Sequence, residues 1–221
     1  MSGLPNPATL IALMAAVAML PFLAVLVTSY VKLVVVLGLI RNALGVQSIP
    51  PNMALNAIAI ILSAYIMQPV AQNAYLAIRD RPMDLNDPKS VAETVMLGAE
   101  PFRVFLEKHT GQRDRAFFVN TTKELWSAQD AASVTDNDFM VLIPAFTTSE
   151  LTSAFKLGFL LFLPFIVVDL VVSNILLAMG MMMVSPMTIS LPFKLFLFVT
   201  VNGWERLIHG LVLSYVGSGG G

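Results

Sequence analysis

The chain has 221 residues, of which 57% are hydrophobic and 12% are charged, and its formal net charge is -1. Soluble domains are roughly half apolar and roughly a quarter charged, so this composition is typical of a membrane protein. The missing excess of Lys and Arg excludes nucleic acid as a partner, and the absence of cysteine excludes disulfides and thiolate metal sites.

The charges divide the chain into parts. Twenty of the charged residues lie between Arg79 and Glu150, and two strongly apolar flanks surround them. We therefore predict an all-α fold of membrane-associated helical hairpins with a small helical polar insertion. The predicted parts are an N-terminal helical hairpin at 1–78, a polar helical region at 79–146, a C-terminal helical hairpin at 147–216 and a flexible tail at 217–221.

The first hairpin begins with an uncharged stretch from Ala8 to Val31, which exceeds the roughly 20 residues that a helix needs to cross a bilayer. It lacks the basic start and the cleavage site of a signal peptide, so we expect it to be retained. Pro50 and Pro51 then form a turn, and a second uncharged run extends from Met53 to Ile78.

The polar region has one strong helix-start signal. Asp87 is a predicted N-cap and Pro88 occupies the first helical position. Pro101 is expected to interrupt this helix, and a further helical piece is expected in RAFFVNTTKELW, residues 115–126. We find no catalytic constellation in this region.

The second hairpin is predicted to start at Thr147, where TTSE has the form of a capping box closed by Glu150. The helix would continue through Pro164 with a bend. The segment MGMMMVSPM, residues 179–187, would connect it to a last helix from about Pro192 to Val216.

Several charges interrupt the apolar segments: Lys32, Asp169, Glu205, Arg206 and His209. A charge at the centre of a bilayer costs about 2.5–3.5 kcal/mol on insertion scales, so such side chains normally face protein or water. His209 and the distant His109 have no ligand-like spacing, and we predict no metal and no cofactor.

Two explanations remain open for the lysines. Lys32 and Lys194 either snorkel to the headgroups or meet other parts of the protein. Asp169 is too short to snorkel and has long uncharged flanks, so we expect it to contact protein, with Lys194 or Arg206 as its partner. The sequence position of Lys194 also suggests that it anchors the far side of the methionine segment.

Small residues allow close backbone approach in both hairpins: Gly38, Ala43, Gly45, Ala178 and Gly180. Such packing can occur within one chain or between copies, and the sequence does not decide between them. Arg41 and Asn42 likewise either cap the first hairpin's helix or contact another subunit.

Four long strings resemble the type III secretion export-apparatus family, which includes flagellar FliP and its injectisome counterpart SctR. They occur in the same order as in that family and are distributed along the chain: Ile40 to Val70, Pro144 to Phe159, Leu163 to Pro186, and Leu191 to Trp204. The PPNM form at Pro50 to Met53 is more similar to the injectisome branch.

The resemblance implies a non-enzymatic channel component of a bacterial inner membrane, with the polar region in the periplasm. Several copies would assemble with the S and T components into a pseudo-helical export gate through which unfolded proteins pass. The U component would bind the same apparatus, and the V component and the needle or inner rod would lie nearby. The resemblance also implies that the hairpins associate with one another, with much of the complex lifted out of the bilayer plane.

Met181, Met182 and Met183 have two interpretations. Methionine is a common filler of irregular cores, and composition alone favours that role. A ring of methionines from several copies can also close a pore and reshape around a polypeptide. The resemblance implies the second role, as the gasket of the pore.

The remaining candidate residues are assigned to assembly or to buried polar contacts: Arg41, Asn42, Pro50, Pro51, Asn52, Asp169, Lys194, Glu205 and Arg206.

Two other functions compete with the export gate. A small-solute or proton-coupled transporter would use Asp169 and Arg206 near the break at Pro164. A membrane enzyme is disfavoured because HExxH and GxSxG motifs are missing.

Overall fold

A computed structural model describes residues 7–46, 48–81, 84 and 87–216, so the predicted tail at 217–221 lies outside the described residues. The described residues form helices and no strands, which confirms the all-α prediction. In chain order the helices are α1 (Pro7–Leu26), α2 (Tyr30–Ala43), α3 (Asn52–Ile78), α4 (Pro88–His109), α5 (Gln112–Leu125), α6 (Ala128–Ala132), α7 (Phe139–Ala178), α8 (Pro186–Thr200) and α9 (Gly203–Leu213).

The chain folds into two compact units. The first comprises Met1–Tyr30 and Ala64–Glu150, and the second comprises Val31–Ser63 and Leu151–Gly221. Helices α3 and α7 therefore contribute residues to both units, while α4 to α6 belong to the first and α2, α8 and α9 essentially to the second.

Helices α3 and α7 are each long and apolar enough to cross a membrane. The bent pairs α1 with α2 and α8 with α9 meet the same criteria only when each pair is taken together, as a broken span or a re-entrant loop. The prediction of one helix from Ala8 to Val31 is wrong, because α1 ends at Leu26 and α2 begins at Tyr30. At this break the Thr28 hydroxyl donates a hydrogen bond to the Ala24 carbonyl at 2.5 Å.

The predicted start of α4 is confirmed. The Asp87 carboxylate accepts a hydrogen bond from the Lys89 N–H at 3.0 Å, and Pro88 is the first helical residue. The predicted interruption at Pro101 is wrong, since α4 is continuous to His109. Phe105, beyond that proline, is buried and packs on Phe146 with ring centroids 5.7 Å apart, so tertiary packing overrides the proline.

The capping box predicted at Thr147 is also wrong, because α7 begins eight residues earlier at Phe139. The Thr147 hydroxyl donates to the Ile143 carbonyl at 2.9 Å, as hydroxyls inside a helix commonly do. Ser149 serves a tertiary contact instead. Its hydroxyl donates to the Asp114 carboxylate and accepts from the Gly111 N–H at 3.1 Å, which fixes the α4–α5 turn on α7.

The core of the second unit begins with a buried stripe along α2. Leu33, Val36, Leu37 and Ile40 are at most 2% exposed and recur at helical spacing, so one face of α2 is fully covered by protein. By contrast, α1 exposes the apolar side chains that the structure describes on it, from Leu10 to Leu26.

The last apolar segment forms two helices, so the prediction of one helix from Pro192 to Val216 is wrong. Helix α8 starts earlier, with Pro186 at its first position, and it meets α9 at 61°. Asn202 makes the corner in the left-handed conformation (φ 52°), which Asn adopts more readily than most residues.

We predict that Gly203→Ala destabilises this corner. A Cβ at position 203 would overlap the Phe198 ring, and Phe198 is buried against Phe165 and Trp204. Overpacking of this kind costs about 1–3 kcal/mol, so thermal unfolding in detergent should occur at a lower temperature. Gly210→Ala on the same helix is the matched control, because its Cβ would meet no atom within 4 Å; equal unfolding temperatures for the two variants would contradict the prediction.

Candidate functional site: a methionine loop and its polar bridge

Residues 179–185, here called the methionine loop, connect α7 to α8, and both ends of the loop are fixed by backbone geometry. At the first end Gly180 has φ +73° and donates its N–H to the Leu177 carbonyl at 3.0 Å, while the Met181 N–H donates to the Leu176 carbonyl at 2.9 Å. These two hydrogen bonds define a Schellman motif, which ends the helix. At the other end Pro186 opens α8.

The three central methionines differ in exposure. Met181 is 41% exposed, Met182 is 80% exposed and Met183 is 101% exposed. Apolar side chains normally gain stability by burial, and this chain provides Met182 and Met183 with almost none.

Below the loop, Lys194 joins three helices of the second unit; we call this arrangement the polar bridge. Its ammonium lies 2.6 Å from one carboxylate oxygen of Asp169 on α7 and donates to the carbonyl of Ala43 at the end of α2, 3.1 Å away. The second oxygen of Asp169 accepts from the Ser190 hydroxyl at 2.6 Å. Ser190 and Lys194 both belong to α8 and are one turn apart, so both reach the same carboxylate.

The polar bridge lies at a similar distance from the methionine loop on both helices that flank it. At about 1.5 Å of rise per residue, Asp169 is about 14 Å from the end of α7 at Ala178. Lys194 is about 12 Å from the start of α8 at Pro186 by the same measure. The bridge therefore closes a hairpin whose tip is the methionine loop.

Of the two partners predicted for Asp169, the structure brings Lys194 to it. The Lys194 side chain is only 4% exposed, whereas Asp169 is 38% exposed. Lys32 is equally buried at 4% and its ammonium lies 4.2 Å from the centre of the Tyr215 ring. Both lysines thus meet protein within the second unit, and neither has its ammonium free to snorkel.

The turn between α2 and α3 brings together three of the predicted contact residues. Arg41 donates to the side chain of Asn52 and to the Pro50 carbonyl, the latter at 3.4 Å. The Pro51 carbonyl accepts from two amides of the first turn of α3. Asn42 is exposed, and its carbonyl accepts from the Gly45 N–H at 3.0 Å. Arg41 therefore closes the hairpin turn within this chain.

Glu205 and Arg206 lie apart from the polar bridge, on the exposed side of α9. Glu205 is in the first turn of that helix, where an acidic side chain is favourable to the helix dipole. The opposite side of α9 is apolar and buried through Leu207 and Leu211.

Sequence reasoning missed two members of these contacts. Ser190 was not singled out, although its spacing of four residues from Lys194 was a usable signal. No side chain marks the Ala43 carbonyl in the sequence, because it is a backbone group. The end of helix α2 leaves it without a hydrogen-bond partner inside that helix. Within the described ranges there is no group of three or more His, Cys, Asp or Glu that could hold a metal ion.

Comparison with known proteins identifies relatives along nearly the whole chain. The sequence model of the FliP family matches residues 13–211. "Yop proteins translocation protein R" of Yersinia pestis is 52% identical over 98% of this chain and 100% of its own. "Hypersensitivity response secretion protein HrcR" of Ralstonia nicotianae is 50% identical over 94% of this chain and 97% of its own. "Surface presentation of antigens protein SpaP" of Salmonella typhi is 43% identical over 96% of this chain and 97% of its own.

We predict that Asp169→Asn destabilises the protein more than Lys194→Met does. The first variant leaves a buried ammonium without its counter-charge, a loss of about 3–5 kcal/mol. The second leaves a carboxylate that is partly exposed and still bonded to Ser190, and we expect a loss of about 1.5–3 kcal/mol. Both losses are measured as changes in the free energy of unfolding in detergent micelles.

The double variant should then be no less stable than Asp169→Asn alone, because it contains no unpaired buried charge. Lys156→Met is the control, since that lysine lies exposed on α7. Two results would contradict this account of the polar bridge. One is an equal loss of unfolding free energy in the two single variants, and the other is a loss in the double variant that equals their sum.

Proposed function

This chain belongs to the FliP family, and we propose that it is a core component of the type III secretion export gate. In this proposal several copies form, together with the S and T components, the channel through which unfolded proteins are exported. The relatives that it resembles carry names of translocation and secretion proteins, which supports a role in export. The residues that would close the channel are Met181, Met182 and Met183.

One observation carries the proposal: Met182 and Met183 are at least 80% exposed at the tip of a hairpin whose two helices are joined by an ion pair with a buried ammonium. Side chains so exposed do not fill the core of this chain, which weakens the filler interpretation. A hairpin whose helices are tied together, and whose tip carries unbranched apolar side chains, is suited to line a constriction shared by several copies.

Thioether side chains suit such a constriction for two reasons. They are apolar, so a narrow ring of them excludes water and ions by dewetting. They are also unbranched and have three rotatable bonds, so they can repack around passing chains of different sequence. A ring of this kind seals in the absence of substrate and yields when a polypeptide enters.

The wider assembly follows from the same proposal. The chain would form a homo-oligomer in the bacterial inner membrane and bind the S, T and U components, near the V component and the needle or inner rod. The first unit carries the polar helices α4 to α6, and we assign it to the periplasmic side. Exposed Asn42, Pro51, Asn52, Glu205 and Arg206 are available for contacts between subunits.

A transporter is the competing function, and one observation favours it. Asp169 is an ionisable residue in the middle of a long apolar helix and is 38% exposed, as a midplane proton or solute site requires. Against it, both carboxylate oxygens are already engaged, by Lys194 and by Ser190. A transporter would show uptake by the isolated protein in vesicles, and that uptake would be lost in Asp169→Asn with assembly intact.

For the export gate we predict that replacing all three methionines with alanine makes the assembled complex leak ions. Alanine is too short to meet its neighbours across a constriction, so water enters and dewetting fails. The measurement is ion conductance of the assembled complex in planar bilayers or in intact cells.

The particle mass of the purified complex is the control, and it should be unchanged because Met182 and Met183 make little contact within the chain. A triple variant that forms a complex of normal mass and shows no increase in ion conductance would contradict the proposed gate.

A further inference from the structure

We propose that the three methionines have two different tasks: Met181 anchors the methionine loop, and only Met182 and Met183 form the seal. Gly180 is the positioning residue that makes this division possible. The inference rests on the proposed gate and assigns roles within it that the methionine triplet itself does not reveal.

Met181 takes the anchor role because of its place in the Schellman motif. It is the residue whose N–H reaches back to the Leu176 carbonyl, five residues earlier. The side chains at these two positions of the motif commonly make an apolar contact. Leu176 is only 7% exposed, and Met181 is half as exposed as Met182. Its backbone and its partial burial both hold it to the end of α7.

Met182 and Met183 are the two central residues of the turn that follows. The Val184 N–H donates to the Met181 carbonyl at 3.4 Å, which closes a four-residue turn from Met181 to Val184. The exposures of Met182 and Met183, 80% and 101%, agree with that position.

Gly180 sets the direction of this turn. Its φ of +73° lies in the left-handed region, where residues with a Cβ are strained. A Cβ at position 180 would meet no atom within 4 Å, so alanine would introduce backbone strain without a collision. Strain of this size shifts a two-state equilibrium by about 5–30-fold, away from the conformation that presents Met182 and Met183 at the tip.

The test compares single alanine variants by the ion conductance of the assembled complex. Met182→Ala and Met183→Ala should each raise the conductance several-fold, while Met181→Ala should raise it less, because alanine keeps the backbone hydrogen bond from position 181 to the Leu176 carbonyl. The triple variant separates this inference from the gate itself. If the triple variant does not leak, the gate fails; if it leaks and Met181→Ala leaks as much as Met182→Ala, the gate stands and the division of tasks is overturned.

Gly180→Ala tests the positioning role with all three methionines present. It should leak although the particle mass is unchanged, and Gly180→Asn should restore the seal in large part, because Asn tolerates the left-handed conformation better than Ala does. Gly210→Ala is the matched control, since it also adds a Cβ into open space but at a glycine without positive φ. A Gly180→Ala complex as tight as the control, or no rescue by asparagine, would overturn the role of Gly180.

Discussion

The buried ammonium group of Lys194 ties together three helices of the second unit. Lys194 of α8 is almost fully removed from water, and a charge in that position is tolerated only when its donors are satisfied. Its partners are Asp169 on α7 and the Ala43 carbonyl at the end of α2. Because the ammonium and its two partners come from three helices, pairing this one charge ties α2, α7 and α8 together in one register. Ion pairs of this kind contribute more to a unique arrangement than to net stability, and here the arrangement positions a loop.

The methionine loop depends on that register in a direct way. The helices that enter and leave it are tied together two to three turns below its tip, and its ends are closed by Gly180 and Pro186. The tip itself carries thioether side chains, which are unbranched and have three rotatable bonds. A seal for polypeptides of any sequence needs this combination, since a mobile backbone would leak and rigid side chains would not yield.

Local signals in the sequence predicted structure well where no distant contact competes. Asp87 caps α4 as expected, because the acceptor and its amide are two residues apart. Predictions failed where distant residues take part: Thr147 lies inside a helix that begins at Phe139, and Ser149 in the same predicted capping box bonds to Asp114, far away in sequence. Pro101 likewise does not interrupt α4, whose later turns are held by packing on α7.

The candidate site shows the same limit. The resemblance to a known family pointed to Met181–Met183, and the misplaced charges pointed to Asp169 and Lys194. The contact with the backbone carbonyl of Ala43 could not be predicted from side-chain types. The chain contains no cysteine, so one substitution, Met183→Cys, gives a unique probe of where the loop tip lies in the assembled complex. The gate predicts that this cysteine forms disulfide-linked dimers between copies under mild oxidation; a cysteine that does not cross-link and is labelled by a lipid-soluble maleimide would place the tip against the bilayer and contradict the account.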